Sequence, residues 1–135
     1  MRNKGLPVVA IDFDGTIFVD EYPFVGEPLP GAIETINRYH NLGWTIIINT
    51  CREGDFAENA ILALEEYGTK YSFFNNNDPV RTAQYGYDPR KIGSDIVIDD
   101  RCLYFLLTGV DWELIDEMLC DFEDIWTANK TVDDN

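Results

Sequence analysis

Two aspartates near the start of the chain stand directly after an apolar run, separated from each other by one phenylalanine. They are Asp12 and Asp14, in the segment Asp-Phe-Asp-Gly-Thr that follows residues 7–11. A short apolar run of this kind predicts a buried strand, and open α/β sheets bind ligands at the carboxyl ends of their strands. Two carboxylates there can act as a nucleophile and as a proton donor or acceptor. The segment therefore predicts a catalytic site at the end of the first strand.

Residues with complementary chemistry accompany two later apolar runs. Thr50 and Arg52 come shortly after the second predicted strand. Lys91 precedes the fourth predicted strand, and Asp99 and Asp100 follow it. If the strands are parallel, their carboxyl ends lie along one edge of the sheet, so these groups would converge on one crevice. The acids are also candidate ligands for a hard cation such as Mg²⁺, which prefers oxygen.

Predicted strands and helices alternate along the chain, which favours an α/β fold. We expect a Rossmann-like three-layer sandwich, with a central, mainly parallel sheet and helices on both faces. Strands are predicted over 8–12, 44–48, 71–74 and 95–98, with 103–107 as a candidate fifth. Helices are predicted over about 30–41, 55–67 and 111–126, with a weaker helical stretch over 80–84 and an irregular segment over 17–28.

The order of the polar residues resembles that of the haloacid dehalogenase superfamily of phosphatases. In that superfamily an Asp-x-Asp-x-Thr segment is followed by a strand ending in Ser or Thr, then by Lys, then by a strand ending in paired acids. The matching residues here are Asp12, Asp14, Thr50, Lys91, Asp99 and Asp100. The resemblance covers about residues 8–101 and implies a Mg²⁺-dependent phosphomonoester hydrolase.

The resemblance also implies a role for each acid. Asp12 would attack phosphorus and form an aspartyl-phosphate, while Asp14 would protonate the leaving oxygen and then activate water. Mg²⁺ would be held by the Asp12 carboxylate, the Asp14 backbone carbonyl and the Asp99–Asp100 pair. Within that pair we favour Asp100 as the direct ligand and Asp99 as an outer-shell group.

The hydroxyl and the cations would face the phosphoryl group. Thr50 would donate a hydrogen bond to it, and Lys91 would hold it and balance the carboxylate charge. Arg52 has two readings: it contacts a substrate phosphate, as a similar Thr/Ser-x-Arg does in some nucleotide and polynucleotide phosphatases, or it forms an ion pair with Glu53 or Asp55.

Members of this superfamily often carry an inserted lid domain, and here the predicted elements leave no room for one. We therefore expect no separate cap domain, with residues 17–28 as a short flap. Phe18, Tyr22 and Phe24 are candidate walls over the leaving group.

The length of 135 residues fits one domain. We predict a single catalytic domain over residues 1–128, and a polar tail over 129–135 that we expect to be disordered.

The chain is strongly acidic, with 25 Asp and Glu residues, 10 Lys and Arg residues and a formal net charge of −15. This balance disfavours nucleic acids and anionic membranes as partners, because both reward positive charge. A bound metal ion reverses the local sign of charge, so a small phosphorylated substrate stays compatible with the acidic chain.

The apolar runs are too short to cross a bilayer. The three cysteines suggest neither a zinc site nor a disulfide framework, so we expect a cytoplasmic protein.

The predicted substrate is a small phosphorylated metabolite or a nucleotide. One alternative is a 3′-phosphatase for oligonucleotide ends, suggested by Thr50 and Arg52. Another is a non-enzymatic receiver-like signalling domain that carries a phospho-aspartate. In such domains the paired acids come first and the lysine comes last, whereas here Lys91 precedes Asp99 and Asp100. The sequence carries no signal for an oligomeric state.

Overall fold

The computed structural model describes residues 5–133. The strands within them are β1 (Val8–Ile11), β2 (Phe18–Glu21), β3 (Phe24–Pro28), β4 (Thr45–Ile48), β5 (Phe73–Phe74) and β6 (Ile96–Ile98). The helices are α1 (Ala32–Asn41), α2 (Gly54–Glu66), α3 (Pro79–Tyr85), α4 (Leu103–Thr108) and α5 (Trp112–Asp133).

A four-stranded parallel sheet in the order β5-β4-β1-β6 forms the centre of the fold. All four residues of β1 are buried, as expected for an inner strand covered on both faces. The register pairs Ile11 with Ile48 on one side and with Ile98 on the other, so β1, β4 and β6 end together. The predicted α/β fold with a parallel sheet flanked by helices is confirmed, and the sheet brings three strand ends to one edge.

Helices α1 and α5 cover the sheet with apolar faces. Tyr39 of α1 stacks near Trp44 with ring centroids 4.6 Å apart, and both side chains are buried. At the start of α5 the buried Trp112 donates a hydrogen bond from Nε1 to the backbone oxygen of Thr16 at 2.7 Å. This bond fixes α5 to the loop that follows β1, so the core directly supports the segment carrying the two aspartates.

The segment 17–28 is not irregular but forms the antiparallel hairpin β2–β3. Its two strands approach closely, because a Cβ atom on Gly26 would collide with the backbone oxygen of Val19. The turn of the hairpin is held by a side chain from elsewhere in the chain, described below. Such a long-range contact leaves no local sequence pattern, which explains why the strands were not predicted.

The candidate strand over 103–107 is wrong, because these residues lie in α4. A short apolar run fits a strand or a helix equally well by pattern, and here Gly109, with φ of 81°, ends the helix. Helix α5 continues past its predicted end to Asp133. The predicted tail is therefore helical as far as that residue, and 134–135 lie outside the described residues. None of the helices described over 5–133 is long and apolar enough to span a membrane.

Candidate active site

The loop after β1 turns sharply, so that its acids and its aromatic residue face different surroundings. Phe13 is fully buried, and its backbone oxygen accepts hydrogen bonds from the amides of Ile17 and Phe18. Gly15 has φ of 82°, a conformation that favours glycine. A Cβ atom there would collide with Oδ2 of Asp100. Glycine at this position therefore permits both the turn and the close approach of an acid from the other strand end.

Thr16 links the acids of the first and last strand ends. Its buried hydroxyl donates to Oδ2 of Asp12 at 3.0 Å and accepts from the backbone amide of Asp100 at 2.9 Å. The amide of Asp12 in turn donates to the backbone oxygen of Ile98 at 2.9 Å. These side-chain and backbone bonds hold the ends of β1 and β6 next to each other.

Three carboxylates form a cluster suited to a metal ion. Asp12, Asp99 and Asp100 each offer an oxygen, and these oxygens lie within 4.8 Å of one another. In an octahedral Mg²⁺ site, ligand oxygens are about 3–4 Å apart, since each lies about 2.1 Å from the ion. The donor set consists of hard oxygens gathered to within a distance close to this range, so the residues fit Mg²⁺. The carboxylate of Asp14 is not part of this cluster.

Burial, together with the crowding of the carboxylates, raises the pKa of two of them. Burial first, and then the nearby charge of Asp99, raise the pKa of Asp12 to about 7 against the opposing hydrogen bond from Thr16. The pKa of Asp100 is also raised, first by burial and then by its hydrogen bond with Asp99. A bound cation would offset this repulsion, so the electrostatics agree with the donor set.

Asp14 is held by a buried arginine. Arg52 donates from Nε to Oδ2 of Asp14 at 2.7 Å and from Nη2 to Oδ1 at 2.8 Å. The Asp14 side chain is 18% exposed and that of Arg52 only 1%. The structure pairs Arg52 with neither Glu53 nor Asp55, so those predicted partners are wrong, and the partner is the second acid of the first motif.

A cavity of about 350 Å³ collects most of the predicted residues. It is lined by Asp12, Asp14, Asp20, Tyr22, Thr50, Cys51, Arg52, Asp99, Asp100 and Arg101. Asp20, Cys51 and Arg101 also line it, although none of them was assigned a role in the site from the sequence. Arg101 follows the paired acids in sequence, so its position was a signal, whereas Asp20 reaches the cavity only through the hairpin. Of the predicted walls, Tyr22 lines the cavity, but Phe18 is fully buried and Phe24 is 76% exposed and lies outside it.

Thr50 is set in the cavity by the loop after β4. Its amide donates to Oδ1 of Asn75 at 2.8 Å, and its hydroxyl oxygen accepts from the amide of Arg52 at 3.2 Å. Asn75 itself has φ of 55°, which asparagine tolerates better than most residues. The Thr50 hydroxyl thereby retains its proton for donation to a ligand.

Lys91 is exposed and does not line the cavity. Its loop is held by the buried Asn77, whose Nδ2 donates to Oδ1 of Asp88 and to the backbone oxygen of Pro89, both at 2.9 Å. The amide of Gly93 donates back to Oδ1 of Asn77. The structure therefore gathers six of the seven predicted site residues and leaves the lysine on a separate, internally bonded loop.

Comparison with known proteins finds a similar solved structure. A solved structure described as that of a conserved protein from Bacteroides thetaiotaomicron is 34% identical to this chain and superposes with a TM-score of 0.74. The alignment covers 90% of this chain and 98% of the other. No family model and no curated protein matches the chain. At this identity and coverage, the chain belongs to the same family as the conserved Bacteroides protein.

Proposed function

We propose that the protein is a Mg²⁺-dependent phosphomonoester hydrolase of the haloacid dehalogenase type, acting through an aspartyl-phosphate. The observation that carries the proposal is the meeting of Asp12, Asp99 and Asp100 within 4.8 Å, in a cavity that also contains Asp14 and Thr50. The superfamily fold, a three-layer sandwich with helices on both faces of the sheet, is part of the same proposal.

Asp12, Asp99 and Asp100 would hold the Mg²⁺ ion. When bound, the ion would neutralise the negative charge of the phosphate and of the carboxylates around it. This is needed because a phosphomonoester is an anion, and the chain has a formal net charge of −15.

The chain's own residues would then divide two steps between them. In the first, a carboxylate oxygen of Asp12 bonds to phosphorus while the bond from phosphorus to the ester oxygen breaks, and Asp14 gives that oxygen a proton. In the second, Asp14 takes a proton from water, and the water oxygen bonds to phosphorus while the bond from phosphorus to the Asp12 oxygen breaks. This frees the Asp12 carboxylate and inorganic phosphate. Two carboxylates, one of them outside the cation cluster, are the minimum that this sequence of steps requires.

Thr50 and Lys91 complete the proposal. The Thr50 hydroxyl lines the cavity and would donate to a phosphoryl oxygen. Lys91 lies outside the cavity, so its contact with the phosphoryl group requires the loop over 88–93 to move toward the strand ends.

The alternatives gain less support. A 3′-phosphatase for oligonucleotides was suggested by Arg52 as a phosphate contact, but this side chain is buried and bonded to Asp14. A receiver-like domain would become phosphorylated without turnover. The substrate favoured here is a small phosphorylated metabolite or nucleotide that enters an open cavity of about 350 Å³.

The proposal is tested by phosphate release from p-nitrophenyl phosphate. The wild-type protein should hydrolyse this ester in the presence of Mg²⁺, and hydrolysis should stop when EDTA is added. Asp12→Asn should lower kcat by about 10³-fold or more, because the amide cannot act as the nucleophile. As a control, Asp116→Asn changes an acid that pairs with Arg38 at 2.6 Å and does not line the cavity, so its activity should stay normal.

Two outcomes would contradict the proposal. Full turnover by Asp12→Asn would exclude a covalent mechanism on this residue. Phosphorylation of the wild-type protein by a small phosphodonor, with no later release of phosphate, would favour the receiver-like alternative.

A further inference from the structure

The guanidinium of Arg52 is saturated by the protein itself. An arginine side chain has five N–H donors in a fixed plane. Two of them bind the oxygens of Asp14. The others reach the backbone oxygens of Pro23 at 3.1 Å, Phe24 at 2.8 Å and Phe56 at 3.2 Å. No N–H group of this side chain is left over for a ligand.

Two aromatic rings also contact the same guanidinium. Its carbon Cζ lies 5.3 Å from the ring centroid of Phe13 and 5.1 Å from that of Tyr22, within the range of cation–π contacts. The bonded atoms belong to the loop after β1, the turn of the β2–β3 hairpin and the first turn of α2. Arg52 therefore joins three separate parts of the chain around one acid.

We infer that Arg52 is a positioning residue that aims the Asp14 carboxylate and fixes the β2–β3 hairpin over the cavity, and that it is not a substrate contact. The inference rests on the proposed function for the role of Asp14. Each carboxylate oxygen has two lone-pair positions. Arg52 uses one on each oxygen, so the others stay available for the proton that Asp14 gives to the ester oxygen and later takes from water.

The dependence of the rate on the leaving group distinguishes this positioning role from a direct phosphate contact and from a purely structural role. Protonation matters greatly for an alkyl ester, whose alcoholate is a strong base, and little for a 2,4-dinitrophenyl ester, whose phenolate is a weak one. A residue that acts through Asp14 should therefore affect alkyl esters selectively. A lost phosphate contact or a general loosening of the fold should affect both esters alike.

The experiment measures kcat/KM for a simple alkyl phosphate and for 2,4-dinitrophenyl phosphate in Arg52→Lys, since kcat/KM reports the steps up to formation of the aspartyl-phosphate. We expect a loss of about 100-fold or more for the alkyl ester and a much smaller loss for the dinitrophenyl ester. Asp14→Asn should show the same selectivity, and adding Arg52→Lys to it should cause no further selective loss.

Arg81→Lys is the matched control, because Arg81 is also buried and pairs with an acid, Asp95, at 2.7 Å. That pair lies at the other end of the sheet, where Asp95 also accepts a hydrogen bond from the backbone amide of Val8 at the start of β1. Equal losses for the two esters in Arg52→Lys, or weaker inhibition by inorganic phosphate as its main effect, would overturn the inference.

A measurement on the wild-type protein keeps the inference testable if the variants do not fold. The Nε–H resonance of Arg52, observed by ¹H–¹⁵N NMR, should exchange slowly and should not move when inorganic phosphate and Mg²⁺ are added. It should move in Asp14→Asn. A large phosphate-induced shift of this resonance in wild-type protein would show direct anion contact and refute the inference. Failure of the phosphatase proposal would appear separately, as absence of turnover by wild-type protein with either ester.

Discussion

Asp12, the proposed nucleophile, lies in the least favourable electrostatic environment of the cavity. Its carboxylate is partly buried, lies beside Asp99 and Asp100, and has a pKa raised to about 7. In the absence of a cation, the folded protein must hold this charge close to two others. The close approach of these carboxylates is thus a local source of instability when no cation is bound.

We predict that Asp12→Asn stabilises the metal-free protein in a pH-dependent manner. The folded-state pKa is above the ordinary value of 3.8, so the penalty from Asp12 is absent at pH values below about 4, grows as pH rises, and is complete above about 7. After allowing for solvent screening, the gain should be about 1–2 kcal/mol in the free energy of unfolding at pH 8. Urea unfolding with EDTA at pH 4 and pH 8 measures it.

The control for this prediction is Asp121→Asn, which makes the same change in net charge at an exposed position of α5. Asp121→Asn should increase the free energy of unfolding at pH 8 by less than half as much as Asp12→Asn does. Equal stabilisation by the two variants would mean that the overall charge, and not the crowding of carboxylates at the cavity, is responsible.

At the scale of elements, the loop after β1 is shaped by a contact with the end of β6. Gly15 adopts a φ of 82° and leaves the space that Asp100 occupies. Gly86, at the end of α3, has almost the same φ of 85°, but nothing lies within 4 Å of the position that its Cβ would take. Substitution of the two glycines therefore distinguishes the effect of backbone strain, which both share, from the effect of crowding Asp100, which occurs only at Gly15.

We predict that Gly15→Ala and Gly86→Ala both lower the free energy of unfolding by about 1–2 kcal/mol, since both place a Cβ in the left-handed region. Only Gly15→Ala should also displace Asp100 and weaken Mg²⁺ binding, measured as the increase in unfolding temperature on addition of Mg²⁺. Unchanged Mg²⁺ binding in Gly15→Ala would show that Asp100 is not a ligand.

Two elements, the β2–β3 hairpin and helix α4, have features that the local sequence pattern does not predict. The hairpin β2–β3 is shaped at its turn by the Arg52 side chain, which comes from 29 positions beyond Pro23 in the chain. Helix α4 has an apolar sequence and yet keeps Leu103 and Leu107 75% and 81% exposed. Neither the remote partner of a turn nor the exposure of an apolar run can be deduced from the residues in the segment itself.

At the scale of the whole molecule, the formal net charge of −15 should influence which phosphate esters reach the cavity if the proposed function is correct. The surrounding negative field repels a polyanion more than a small anion, and the difference diminishes as salt screens it. The open cavity does not by itself exclude a large substrate. Charge, and not shape, should therefore set the size limit.

We predict that a 3′-phosphorylated twelve-nucleotide DNA is hydrolysed with a kcat/KM about tenfold lower than a 3′-phosphorylated dinucleotide with the same end at low ionic strength. The ratio should approach unity between about 20 mM and 300 mM salt. A longer oligonucleotide that is preferred at low salt would indicate a cationic binding surface and favour the 3′-phosphatase alternative.

Sequence alone determined the alternation of strands and helices, and with it the parallel sheet, because these depend on local periodicity and on the burial of β-branched runs. It also placed Asp12, Asp14, Thr50 and the Asp99–Asp100 pair together, since parallel strands end at a common edge. Only the tertiary structure decided that Arg52 pairs with Asp14 and that Lys91 lies outside the cavity. The physical reason is that long cationic side chains choose partners by distance in space, and their loops are shaped by remote hydrogen bonds such as those of Asn77.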